Sequence, residues 1–222
     1  MLSCRDLKKT YATASGAVAA VRGLDLDVPP GRFTAVIGRS GSGKSSLMAM
    51  IGGLSRPDGG SIMVDGADIW GLGERDLASF RNRKIGYVFQ FASLLPALRV
   101  IDNVALPALL GRALPRPEAY ARAGQLLAQV GLADHSDAYP SEISAGEQRR
   151  AAIARALINR PSILLADEPT ADLDEKTERE IMTLLIEVNR TTHATLVLVT
   201  HNLALAAEAQ EVVHIENGRI AT

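Results

Sequence analysis

The sequence predicts an α/β fold: a parallel sheet at the core, an antiparallel β region, and an inserted helical region. Three observations carry this. The short runs "RFTAVI", "SILLAD" and "TLVLVT" are β-branched or leucine-rich on both faces, as strands covered on both sides must be. Strand and helix alternate around them. Residues from about 92 to 160 are strand-poor and helical in spacing.

The first hundred residues carry short alternating runs with turn signals, such as "PDGGSIMVDG", which read as antiparallel strands. "RFTAVIG" is a strand ending in a glycine loop, and "SSLMAMIGGL" after it reads as a helix. "PRPEAYARAGQLLAQVG" is a second helix, ended by its glycine. Between "SILLAD" and "TLVLVT", Ile181, Leu184, Leu185 and Val188 fall at i, i+3, i+4, i+7 of one helix, with Asp174 placed to cap it. There is no internal repeat and no low-complexity linker. The expected organisation is a single domain, with core and β subdomain over about 1–90 and 161–222 and a helical subdomain over about 91–160.

Composition narrows the functional classes. The 222 residues are 47% hydrophobic and 22% charged, enough to bury a substantial core. A net charge of -1 offers no electrostatic case for a nucleic-acid partner. The single cysteine, Cys4, permits no internal disulfide and fits a reducing compartment. The N-terminal residues lack a basic region followed by an apolar run, so no signal peptide is expected. No apolar run approaches the roughly 20 residues that a membrane span needs.

Two motifs carry chemistry. "GRSGSGKS", running Gly38, Arg39, Ser40, Gly41, Ser42, Gly43, Lys44, Ser45, follows a strand and opens a helix. Such a loop wraps its backbone N–H groups around a polyphosphate at a helix N-terminus. Lys44 would neutralise the β/γ-phosphates, the Ser45 hydroxyl would ligate Mg²⁺, and Ser46 would add a phosphate hydrogen bond. In "ILLADEP" an apolar strand delivers Asp167 to its carboxyl end, where it can hold the Mg²⁺ shell. Glu168, one residue on, would polarise a water.

"SEISAGEQRR" is harder to read. Ser144 and Glu147 have capping-box spacing ahead of the helix "QRRAAIARALIN". Spacing alone favours an ordinary capped helix. A second anion-reading helix end beside an existing phosphate loop makes most sense if it reads a nucleotide held by another chain.

Taken together and in order, "GRSGSGKS", "VFQ", "ISAGEQRRAAIARAL", "ILLADEPT", "ADLD" and "VTH" resemble the motif set of ABC-type ATPases and span nearly the whole chain. The resemblance implies a RecA-like P-loop NTPase core, ATP and Mg²⁺ as ligands, and ATP hydrolysis by a dimer. It implies that Ser144, Gly146 and Glu147 of one subunit close on the ATP held by the other. Tyr11 resembles the aromatic residue that stacks on adenine. Gln90 resembles the glutamine of the Mg²⁺/γ-phosphate shell that faces the transporter. Asp174 resembles the aspartate of the D-loop that lies between the two subunits, and His201 the switch histidine that holds the γ-phosphate and Glu168. His135, His193 and His214 match nothing and read as structural.

One departure stands out: Ala145-Gly146 replaces the usual Gly-Gly, which is tolerable if Ala145 has negative φ. Within the family, "VFQFASLLPALRVIDNVALPALL" and "ADEPTADLD" most resemble lipoprotein-release and macrolide-efflux ATPases. The implied partners are a second ATP-binding subunit, most simply in a homodimer, and integral membrane subunits, with no nucleic acid. The implied place is the cytoplasmic face of the membrane. The alternatives are a soluble ABC-type ATPase acting on nucleic acid and a scaffold ATPase of a cytosolic assembly complex. The first usually carries coiled-coil or zinc insertions or a tandem cassette, absent here. Co-purification with an integral membrane protein would exclude the second.

Overall fold

The computed structural model describes residues 1–14 and 16–221, which form two compact units. The first comprises Met1–Arg81 and the chain from Thr195 onward; the second is Asn82–Ala194.

In the first unit, β1 (Leu2–Thr13) pairs antiparallel with β2 (Gly16–Val28) and with β4 (Gly59–Val64), and β5 (Ala67–Asp68) adds to β4. The runs expected to be short are two long strands. Register shifts between Cys4 and Leu7, and again to Lys9/Thr10, let the ribbon bend. One face buries Leu2, Cys4, Leu7, Leu24, Leu26, Ile62 and Val64.

The parallel layer of this unit has β3 (Phe33–Ile37) between β8 (Thr195–Val199) and β9 (Glu211–Glu216), with β10 (Arg219–Ile220) antiparallel at the edge. All five residues of β8 are buried, which is why "TLVLV" carries no polar alternation. Helix α1 (Lys44–Ile51) follows β3. It stops three residues short of the run "SSLMAMIGGL", because Gly52 is its C-cap and Gly53 turns left-handed at φ +68°. The chain leaves the first unit within α2 (Glu74–Lys84).

In the second unit, β6 (Ile85–Val88) runs parallel to β7 (Ile163–Asp167), pairing Ile85 with Ile163 and Val88 with Ala166. Between them lie α3 (Val100–Leu110), α4 (Arg116–Gln129) and α5 (Ala145–Leu157), with no strand among the described residues of that segment. Ala119, Ala123, Leu126 and Leu127 form the buried stripe of α4. Buried Asn103 pins the loop before α3: its amide donates to Leu95 O, Leu98 O and Arg99 O, and its Oδ1 accepts from Leu95 N at 2.7 Å. Helix α6 (Glu175–Thr192) buries Ile181, Met182, Leu185, Val188 and Asn189. Leu184, expected in that stripe, is half-exposed and lines a surface groove instead. Finally α7 (Leu203–Ala206), in the first unit, connects β8 to β9. No helix among the described residues is long and apolar enough to cross a membrane.

Candidate active site

Strand register aligns the site residues within each unit. In the first, Val36 pairs with Val199, so Gly38 and His201, each two residues further on, leave the same carboxyl edge. Thr200 N–H donates to Val36 O at 3.3 Å, tying the two strand ends together. In the second, Val88 pairs with Ala166, so Gln90, Asp167 and Glu168 leave one edge too. Carboxyl edges of parallel strands are where α/β folds bind ligands.

The loop Gly38–Gly43 joins the end of β3 to the first turn of α1. Gly43 caps α1 at φ +107° and provides no side chain for the first-turn N–H groups. A Cβ there would lie 2.3 Å from Ala20 O, so only glycine fits. The buried Lys44 spans the loop, its Nζ donating to Gly38 O at 2.8 Å and Arg39 O at 3.0 Å. Ser42 Oγ is buried without a hydrogen-bond partner, a polar atom awaiting one. Arg39, Ser40, Gly41 and Ser42 also wall a cleft of about 440 Å³ against the end of β9. Ser45 is exposed and Ser46 half-buried on the first turn of α1. His201 is exposed and sits just before Asn202, which caps α7 by accepting from Ala204 N at 3.0 Å. Tyr11 stands at the exposed end of β1, with Lys9 Nζ 5.5 Å from its ring centroid.

In the second unit, Asp167 is the last residue of β7 and Glu168 the first past it, both half-buried. Glu168 adopts φ +46°, a left-handed conformation that costs a non-glycine residue about 1–3 kcal/mol. Ala171 N–H closes the turn on Glu168 O at 3.1 Å. Tyr87, stacked on Phe89 at 4.1 Å, has its hydroxyl pKa pushed up by burial and then by the charge of Asp167. Asp174 caps α6 as the sequence requires, accepting from Lys176 N and Thr177 N at 3.1 Å and from Thr177 Oγ1 at 2.6 Å. Those bonds, the Thr177 hydroxyl foremost, hold its carboxyl below the usual range.

The segment at Ser144 is a complete capping box. Ser144 Oγ accepts from Glu147 N at 3.3 Å, while Glu147 Oε2 accepts from Ser144 N and from Ser144 Oγ at 2.7 Å. Ser144 and Ala145 are exposed. Ala145 is the first helical residue and lies outside the positive-φ set, so its methyl group brings no strain. Gly146 is different: a Cβ there would lie 2.6 Å from Thr177 Cγ2. It is glycine because α6 packs against it, not because of its φ.

Sequence reasoning missed the groups that hold these loops. Arg149, buried on α5, donates Nη1 to Phe89 O at 2.8 Å and to Gln90 O, and Nη2 to Ala171 O at 3.5 Å. One guanidinium thereby ties the Gln90 loop and the turn after Glu168 to the helix of Ser144. Arg155 adds bonds to Ser93 O at 2.7 Å and Ala92 O at 2.9 Å. The available signal was two arginines on an alanine-rich helix whose small residues imply burial. No group of three His, Cys, Asp or Glu side chains among the described residues forms a metal cluster. A cleft of about 560 Å³ beside α6 contains none of the predicted site residues.

Residues 21–171 match the ABC transporter family model. The chain belongs to the ABC transporter family. The lipoprotein-releasing system ATP-binding protein LolD of Syntrophus aciditrophicus is 44% identical over 222 residues, covering 100% of this chain and 99% of the relative. The macrolide export ATP-binding/permease protein MacB of Syntrophobacter fumaroxidans is 42% identical over 99% of this chain, which spans 31% of that longer relative. Among solved structures, the dimeric ATP-binding cassette MJ0796 in a post-hydrolysis state with ADP and Pi superposes with a TM-score of 0.92 at 35% identity, covering 100% of this chain and 97% of that one. This ABC chain is an ATP-binding, ATP-hydrolysing subunit of the LolD/MacB type, with the α/β P-loop fold of its relatives.

Proposed function

We propose that this ABC subunit works as a homodimer on the cytoplasmic face of a membrane, driving integral membrane subunits of a lipoprotein-release or export system. The full-length likeness to LolD supports this most directly. Residues about 91–160 would be the helical subdomain that meets those subunits, with about 1–90 and 161–222 forming the core and β subdomain.

ATP would be held by Gly38 to Ser46, with Lys44 on the β/γ-phosphates and Tyr11 against the base. Ser45, Gln90 and Asp167 supply the hard oxygen donors that Mg²⁺ prefers; bound, the ion would neutralise developing phosphate charge. Glu168 would orient and polarise the attacking water, and His201 would hold the γ-phosphate. Ser144, Gly146 and Glu147 of each chain, with Asp174 beside them, would serve the ATP of the other. Closure on ATP and release after hydrolysis is then the work done on the membrane partner. The oxygen set, the strained Glu168 backbone and the partnerless Ser42 Oγ are the observations of this chain that support these roles.

The test is a pair of variants. Glu168→Gln is expected to bind ATP normally and accumulate as an ATP-bound dimer in gel filtration, with hydrolysis slowed about 10²–10⁴-fold. Lys44→Ala is expected to weaken ATP binding itself. Near-normal turnover in the first, or unchanged ATP affinity in the second, removes that residue from the mechanism.

A further inference from the structure

Away from the ATP machinery, the second unit contains a cavity of about 420 Å³ bounded by α4, the loop after α5 and the last turn of α6. Leu126, Leu157 and Val188 form an apolar floor, and all three are buried. Arg122 and Arg160 stand at its wall. Arg122 Nε is buried with no hydrogen-bond partner. Among the described residues neither guanidinium has a carboxylate partner; the charge that Arg122 feels is that of Arg160. We propose that this cavity binds a small amphiphilic anion, with a phosphate or carboxylate head between Arg122 and Arg160 and an apolar body on the floor.

Like charges side by side over apolar walls are costly. Burial first, and Arg160 second, pull the pKa of Arg122 down. An arginine does not shed its proton; Arg160 is exposed and Arg122 half-buried, so water screens part of the repulsion and an anion held between the two would relieve the rest. Guanidinium forks match the oxygens of phosphate and carboxylate in pairs, and two of them favour a dianion. A simpler role would be capping the nearby end of α6, but the donors found there belong to α6 and its C-cap residue. Thr191 Oγ1 donates to Glu187 O, Thr192 Oγ1 to Val188 O, and His193 N to Asn189 O, each within 2.9 Å. Among the described residues neither arginine donates to a carbonyl of that helix end.

Thermal unfolding in a Lys44→Ala background, which disables the phosphate loop, tests the idea with butyl phosphate and inorganic phosphate as separate additions. Butyl phosphate at about ten times its dissociation constant is expected to raise the midpoint saturably by about 3–5 °C. Inorganic phosphate at the same concentration should raise it less, since it leaves the floor uncovered. Adding Arg122→Gln or Arg160→Gln should abolish both rises. In anion-free buffer Arg160→Gln should melt no lower than its parent, because it removes a repulsion, so the stability order reverses when the anion is added. No rise with butyl phosphate, a rise that survives both arginine substitutions, or an Arg160→Gln loss equal with and without anion would each overturn the proposal. Equal rises with the two anions would overturn the apolar half of it.

Discussion

At residue 146 the chain keeps glycine for a reason that no dihedral angle reveals. Thr177 Cγ2 occupies the place of the missing side chain, and Thr177 cannot swing away because Asp174 holds its hydroxyl at 2.6 Å. Gly146→Ala should therefore cost about 1–3 kcal/mol by overpacking, read as a lower denaturant midpoint at unchanged slope. Ala145→Gly should cost at most about 1 kcal/mol, since it only loosens the first helical residue, and should leave ATPase activity intact. Glu147 beside them gives a pH signature. Its carboxylate is held below the ordinary value first by the Ser144 N–H and then by the Ser144 hydroxyl. A folded pKa below the unfolded one means stability that is complete above the ordinary glutamate range and lost as pH falls through the folded value. Acid unfolding should show this: Glu147→Gln should be less stable than the parent near neutrality, and the difference should shrink below about pH 4.5. A difference constant with pH would mean that the charge plays no part.

Among the elements, α5 is the one that holds the others in place. From Arg149 it reaches the carbonyls of Phe89, Gln90 and Ala171, so its position sets both loops. Arg149→Met removes these charged donors and leaves the three carbonyls without the group that ties them together. A loss of about 2–4 kcal/mol is expected, with kcat falling more than ATP affinity, because the phosphate loop lies on a different element. Equal losses in kcat and ATP affinity would point to general unfolding instead. Arg149→Lys should recover part of the stability but not the two-sided grip, since one ammonium cannot fork. What the sequence made legible divides along the same line. The caps at Ser144 and Asp174 and the buried strands β3, β7 and β8 could be read directly, because spacing and alternation within a few residues determine them. Arg149 and Arg155 could not, since all but one of their partners lie some sixty residues away. Nor could the exposure of Leu184, which falls within the helical period but faces a groove left by neighbouring elements. Nor could the shortness of α1, where two successive glycines end a run that stays apolar to Leu54.

For the whole molecule the question is which chain the loop at Ser144 serves, and geometry decides how to ask it. A charge placed at Gly146 would be a poor instrument, because any side chain there meets Thr177 before it meets a nucleotide. Ser144 is exposed at the helix N-cap, and aspartate caps as well as serine does. Combining Ser144→Asp with Glu147→Gln removes the neighbouring carboxylate that would repel it. The result keeps the helix but turns a fixed negative charge outward from its end. If that end closes on the partner's ATP, a carboxylate roughly 4 Å from a phosphate charge costs on the order of 4 kcal/mol at an effective dielectric of about 20. Such chains alone should fail to dimerise with ATP while still binding it as monomers. Lys44→Ala chains alone should fail for the opposite reason. Mixed, the two should form dimers with one composite site intact and one doubly broken, and ATP-dependent dimerisation should return in proportion to the mixed species. Hydrolysis should return with it only if a single site can turn over. Loss of ATP affinity by the Ser144→Asp/Glu147→Gln monomer, with no recovery on mixing, would mean that each chain reads its own nucleotide with this loop.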